Sequence, residues 1–244
     1  MVELLDNERI DDLDYKGMKI IQKKDGFCFG MDSVLIANFS KISKKNAIIA
    51  DLGTGTGIIS LLVSAKNKIN KIYGFEIQEE MVEMANRSVE LNKLKEKIEI
   101  VKENIVGLSE IGYKNRFDYV ITNPPYKKIN TGLINENEKK LISRHEVKCT
   151  LKDILFESAN ILKDKGPLYM VHRPDRLPEI LILMRENKIE PKEIQFVYPK
   201  EDKEANLVLI KGIKFANPYL KILEPLIIYD KKGNYTEKAI NFYK

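Results

Sequence analysis

Tryptophan is absent from this chain of 244 residues, and cysteine and histidine occur only twice each. Two cysteines, Cys28 and Cys149, cannot build a metal cluster on their own. They read as free thiols in a reducing compartment rather than as a disulfide framework. Apolar runs are short: none approaches the ~20 residues that a membrane span requires. The first fourteen residues are acidic and lack the basic-then-apolar plan of a secretion signal, so a cytoplasmic protein is expected. There is also no Ser/Gly-rich linker, no internal repeat and no low-complexity tract. What is present is an ordinary globular balance, with 43% hydrophobic and 32% charged residues. A chain of this size buries enough surface to fold without disulfides or metals. The net charge of +5 tolerates a polyanionic partner but does not demand one.

From about residue 46 to 215, short β-rich runs alternate with helical patterns. Residues 47–51, 71–76, 97–101, 117–121 and 167–171 read as strands with nearly continuous apolar character. Residues 57–66 and 78–92 read as helices, the second with Met81, Met84, Ala85 and Val89 on one face. Thr150 is placed to cap a helix whose inner face is Leu151, Ile154, Leu155 and Leu162. This rhythm predicts a parallel sheet with helices on both faces. Residues 193–197 and 207–210, with only a loop between them, predict an antiparallel edge, and residues 230–234 a turn. One connection is unusually long and polar. Residues 125–150 show little periodicity, as expected of a functional lid or a disordered segment.

Two motifs carry chemistry. Residues 51–57 read DLGTGTG, between the first parallel strand and a helix. Gly53, Gly55 and Gly57 allow a tight turn and a close backbone approach to a ligand, and the helix start offers free N–H groups. Position 58 is Ile58 where a dinucleotide fingerprint needs glycine, and the turn has no basic residue for a pyrophosphate. Glu76 ends the next strand, where a carboxylate can take both hydroxyls of a ribose. Asp51 is placed to hold an ammonium group or its bound water. An amino acid plus a ribose without phosphate describes S-adenosylmethionine better than NAD.

The second motif is Asn123-Pro124-Pro125-Tyr126, after the strand at 117–121. The amine of adenine and the amide of glutamine are poor nucleophiles because their lone pairs are delocalised. The Asn123 side-chain oxygen and the Pro124 carbonyl can each accept one N–H of such a group, localising the lone pair toward a methyl donor. Tyr126 offers a flat face for a planar group, and alignment alone can supply much of the rate. No Ser/His/Asp triad competes. His145 reads as structural or on the surface. Lys127 and Lys128 beside the pocket, the cluster Lys139, Lys140, Arg144 and Lys148, and the pair Arg173 and Arg176 are candidate contacts to RNA phosphates.

Together these motifs resemble the class I S-adenosylmethionine-dependent methyltransferases that carry N-P-P-Y. Residues 20–22 and 27–32, Arg144-His145-Glu146, residues 171–176, 203–206 and 233–236 are similar to a bacterial family that methylates N6 of an adenine in the valine tRNA anticodon loop. The similarity spans about residues 15–244. It implies a Rossmann-like α/β fold with a seven-stranded, mostly parallel sheet. A core at 46–215 would follow an extension over the donor pocket at 1–45 and precede a tail at 216–244. Asp51, Gly53, Gly55 and Glu76 would hold the donor, with Phe29 and Asp32 closing its pocket. Glu103 or Asn104 would meet the donor's adenine. Asn123, Pro124 and Tyr126 would hold the target adenine, with Pro125, Lys127, Lys128, Arg144 and Arg173 on the substrate side. The expected partner is tRNA, and the protein is expected to be a monomer without metal. A protein glutamine N5-methyltransferase is the alternative, but such enzymes carry an N-terminal helical domain. Methylation of rRNA or DNA adenine is a further alternative, although a DNA enzyme would normally have a separate target-recognition region; an idle donor- or RNA-binding module and an NAD-dependent oxidoreductase are less consistent with these residues.

Overall fold

The computed structural model of the chain describes residues 2–25, 30–126 and 149–243. Most of the long polar connection, with Lys127, Lys128, Lys139, Lys140, Arg144, His145 and Lys148, therefore lies outside the described residues, as do Cys28 and Phe29.

The chain opens with an antiparallel hairpin, β1 (Glu8–Asp12) and β2 (Lys19–Lys23), and then α1 (Met31–Phe39). The predicted alternation follows as β3 (Ala47–Leu52), α2 (Ile58–Lys66), β4 (Ile69–Glu76), α3 (Glu79–Leu91), β5 (Ile98–Lys102) and β6 (Tyr119–Thr122). After the undescribed stretch come α4 (Leu151–Ile161), β7 (Pro167–His172) and α5 (Leu177–Glu186). Strands β8 (Ile189–Tyr198) and β9 (Leu207–Lys214), two short strands β10 (Lys221–Ile222) and β11 (Leu226–Ile227), and α6 (Glu237–Tyr243) complete it.

The sheet runs β10-β8-β9-β7-β6-β3-β4-β5, with β11 also beside β8. Five strands from β5 to β7 are parallel, and β9 is antiparallel to both β7 and β8, as the sequence pattern predicts. The count differs from seven. β10 and β11, two residues each, pair with the outer side of β8 and bring the sheet to nine strands. An edge strand has unpaired backbone groups on one side, and the tail supplies partners for them. Gln195 assists, its amide nitrogen donating to the Glu224 carbonyl at 3.0 Å. β8 also begins earlier than expected, because it continues through Pro191 with a register shift between Pro191 and Glu193. Proline lacks the donor a central strand needs, which hides such a segment in sequence.

Strand residues alternate between two cores. Ile49, Ile121, Tyr169, Val171 and Leu209 pack with α1 and α2 on one face. Leu52, Val120, Leu168, Met170 and Ile210 pack with α4 and α5 on the other. Thr150 caps α4 in a reciprocal box with Asp153, and Leu151, Ile154, Leu155 and Leu162 are all buried as expected. The N-terminal hairpin lies against α3. Glu8 and Arg87 pair through two bonds of 2.5 and 2.6 Å, and the Ile21 N–H donates to the Ser88 hydroxyl. Among the described residues no helix is long and apolar enough to cross a membrane.

Candidate active site

The chain leaves β3 toward β4 and β5 on one side, then crosses back to place β6 on the other. β3 and β6 thus flank the point where the winding reverses, and such sheets bind ligands just beyond their strand ends there. The two strands are in register, Asp51 opposite Ile121 and Leu52 opposite Thr122, and the Thr122 hydroxyl donates to the Leu52 carbonyl at 2.9 Å. The glycine turn and the Asn123 turn therefore start side by side.

Gly53 and Gly55 take φ of +73° and +56°, and a Cβ on either would meet nothing within 4 Å. The glycines are required by backbone conformation, and the space beside them is open. The turn is anchored from β4. Gly53 and Thr54 N–H groups both donate to the Phe75 carbonyl at 3.0 Å, and Gly55 N–H donates to Glu76 Oε2 at 3.1 Å. Glu76 is buried, and its other oxygen accepts from the Ile77 and Gln78 N–H groups at 2.9 Å each. A carboxylate held by backbone donors in this way is fixed in orientation.

Asp51 is 1% exposed. Thr54 and Ser60 hydroxyls donate to its Oδ2 at 2.6 and 2.7 Å, while Oδ1 has no partner among the described residues. Burial pushes this carboxyl up to about 6 despite those two donors. A buried, half-satisfied carboxyl beside the glycine turn suits a cationic ligand group. Together with Glu76, the residues suit the amino-acid and ribose ends of S-adenosylmethionine. Asn104 is turned partly inward on itself: its Oδ1 accepts from the Val106 N–H at 3.0 Å, and Glu103 Oε1 accepts from the Asn104 N–H at 2.9 Å.

The Asn123 turn is tied to the start of α1. Asn123 Nδ2 stands 3.1 Å from the Ser33 hydroxyl, and its Oδ1 stands 2.7 Å from the Tyr126 hydroxyl. That hydroxyl also reaches Asp32 Oδ2 at 2.6 Å. Asp32, expected over the donor pocket, thus has its carboxylate against the Tyr126 phenol. Burial, and next the Asp32 charge, raise the Tyr126 phenol above its ordinary value, so it stays protonated. Pro124 is buried and Pro125 exposed. The Tyr126 ring leans on the His172 ring at 5.2 Å, and the exposed Arg173 guanidinium lies 6.0 Å from it. His172 is buried, its Nδ1 accepts from the Arg173 N–H at 2.8 Å, and burial, reinforced by the Arg176 charge, pushes it down to about 4. A neutral imidazole with that nitrogen occupied supports the ring and takes no proton.

Arg176, a candidate contact to RNA, does not face outward. It is 9% exposed and its guanidinium bonds both oxygens of Glu179, at 2.9 and 3.1 Å. An arginine that starts a helix meets a glutamate three residues on, which draws it onto the helix instead. Ser33, Thr54, Ser60 and His172 are the residues sequence reasoning missed. Thr54 and Ser60 lie close to Asp51 along the chain and could have been found there. Ser33 is 90 residues from Asn123 and carries no such signal.

Comparison with known proteins points to a methyltransferase. A family model described as the methyltransferase small domain matches residues 31–186. A curated tRNA1(Val) (adenine(37)-N6)-methyltransferase of Dyadobacter fermentans is 25% identical over 83% of this chain and 82% of its own length. The crystal structure of a predicted O-methyltransferase from Agrobacterium tumefaciens is 25% identical, with a TM-score of 0.70 over 87% of this chain and 95% of that one. The P. horikoshii TYW2 protein in complex with MeSAdo shares the fold alone, with 14% identity and a TM-score of 0.60 over 87% of this chain and 73% of that one. The chain belongs to the methyltransferase small domain family, within the class I methyltransferases that take their methyl group from S-adenosylmethionine.

Proposed function

We propose that this methyltransferase acts on N6 of an adenine in tRNA, at the anticodon-loop position named for its curated relatives. The observation that carries the reading is the pairing of two turns. The Asn123 amide leaves β6 beside the glycine turn of β3, at the point where the sheet reverses its winding. Similarity over 83% and 94% of the chain to enzymes named for tRNA adenine supports the substrate class.

When bound, S-adenosylmethionine supplies an electrophilic methyl group on a sulfonium. Asp51 would hold its ammonium, and Glu76 its ribose hydroxyls. On the other side of the crevice, Asn123 Oδ1 and the Pro124 carbonyl accept the two N–H bonds of the adenine amine. As positive charge develops on that nitrogen, both acceptors bind it more strongly, which lowers the barrier. The base leaves its stack to reach this depth and rests on Tyr126, a contact worth ~1–3 kcal/mol. His172 and Arg173 steady that ring. The amine's extra proton passes to water, since His172 is neutral with its Nδ1 occupied.

The test is incubation of the protein with labelled S-adenosylmethionine and tRNA1(Val) transcript. Label should enter N6-methyladenosine at the anticodon-loop adenine, and a transcript with guanine there should take up none. Label confined to glutamine of added protein, or to rRNA or DNA, would overturn the substrate assignment.

A further inference from the structure

We infer that the first turn of α1 orients the catalytic amide, with Ser33 acting on Asn123 directly and Asp32 acting through the Tyr126 hydroxyl. This rests on the proposed methyl transfer to an amino nitrogen.

An asparagine amide can present its oxygen or its nitrogen in nearly the same space, and only hydrogen-bond polarity separates the two. A site that must accept N–H bonds from substrate needs the oxygen outward and the nitrogen held. Ser33 anchors the nitrogen end in place, and because a serine hydroxyl both donates and accepts, it is the Tyr126 O–H donated to Oδ1 that marks the oxygen. It is 6% exposed, and its hydroxyl stands 3.1 Å from Asn123 Nδ2. The helix carrying it is fixed to the sheet, with the Phe39 ring set edge-on against Tyr169 at 5.9 Å. A turn bearing two prolines is thereby tied to a rigid element 90 residues away.

The Tyr126 hydroxyl has one proton and two acceptors, Asn123 Oδ1 at 2.7 Å and Asp32 Oδ2 at 2.6 Å. In the absence of substrate, that proton can cover the amide oxygen. An amide oxygen has two lone pairs, so Asn123 Oδ1 can keep that bond and still accept a substrate N–H, while Asp32, sharing the phenol proton, fixes where the phenol stands. A carboxylate is the stronger acceptor of the two. Asp32 thus fixes the phenol, and the phenol fixes the amide, with no buried hydroxyl left unpaired. Both side chains are positioning residues, since neither touches the reacting atoms.

The experiment compares Ser33→Ala, Ser33→Thr and Asp32→Asn in steady-state methylation of tRNA and in calorimetric binding of S-adenosylmethionine. Ser33→Ala should lower kcat roughly tenfold, through loss of alignment, and leave the donor Kd within about twofold of wild type. Ser33→Thr keeps the hydroxyl and should restore most of kcat. Asp32→Asn should also lower kcat with donor Kd unchanged, whereas a residue that closes the donor pocket would raise Kd. Unaltered kcat in both Ser33→Ala and Asp32→Asn overturns the inference, and so does a loss of donor affinity as large as the loss of rate. If Ser33→Ala fails to fold, Asp32→Asn alone gives the same readout. A wild-type protein that methylates another amine or amide would sink the tRNA assignment and leave this comparison readable on that substrate.

Discussion

Burial pushes the Asp51 carboxyl up to about 6 while two hydroxyls hold only one of its oxygens. Its folded value lies above the ordinary aspartate value of 3.8, so the folded state binds the proton more tightly than the unfolded chain. The resulting stabilisation is complete below the unfolded value and is lost as pH rises through about 6. At neutral pH the ionised carboxylate therefore costs about 3 kcal/mol. Asp51→Asn keeps an oxygen for Thr54 and Ser60 and removes the charge. It should raise stability toward denaturant by up to about 3 kcal/mol at neutral pH, with the gain vanishing near about pH 4. The same substitution should abolish donor binding, and a variant that keeps donor affinity would detach Asp51 from the ammonium. In the wild type, donor affinity should weaken as pH falls below about 6, approaching tenfold per unit, because the cation needs the ionised form. Calorimetry between about pH 5 and pH 8 reads this directly. At this scale the candidate site was legible wherever it lies at a strand end. Asp51, Glu76 and Asn123 each follow from a strand, its boundary and an adjoining turn. Ser33 and His172 were not legible, because they act through contacts between distant segments that leave no periodicity.

The N-terminal hairpin shows how an element can escape pattern reading. β1 reads ERIDD, four charges around one isoleucine, and its buried residue is Glu8 rather than the isoleucine. It is held from outside, by Arg87 on α3 and by the Ser88 and Asn92 side chains on β2. The Arg87 guanidinium lowers the Glu8 carboxyl below its ordinary value, so this attachment is present above about pH 4.5 and is lost as pH falls through the lowered folded value. Glu8→Ala would leave Arg87 charged and poorly solvated and should cost about 3 kcal/mol, seen in thermal melts at neutral pH. A change under about 1 kcal/mol would mean the pair is solvated and the hairpin only loosely attached. The helix after the long connection is the opposite case. Thr150 and Asp153 form a capping box whose residue types announce themselves, and Thr150→Ala should cost about 1 kcal/mol.

For the molecule as a whole, the charge of +5 becomes informative once the partner is a polyanion. Arg173 is exposed beside Tyr126, where phosphates flanking an extruded base would pass. Affinity for tRNA should fall steeply as salt rises, with a log–log slope close to the number of phosphates neutralised, while donor affinity stays nearly flat. Filter binding across salt concentrations measures the slope. A flat tRNA titration would mean that recognition bypasses the phosphates. The parallel half of the sheet was legible at this scale because each buried strand is an apolar run followed by a helix. The edge was only half legible, because a proline inside β8 and two-residue strands in the tail carry too little pattern.

The position of β9 between β7 and β8 has a consequence for synthesis. Strands β3 to β7 emerge from the ribosome in an order that lets each find a neighbour already made. β8 emerges next but has no mate among them, because its inner partner, β9, has not yet been translated. Until then β7 presents a bare, apolar rim, and the nascent chain at that length is the form in which chaperone contact or misassembly is most expected.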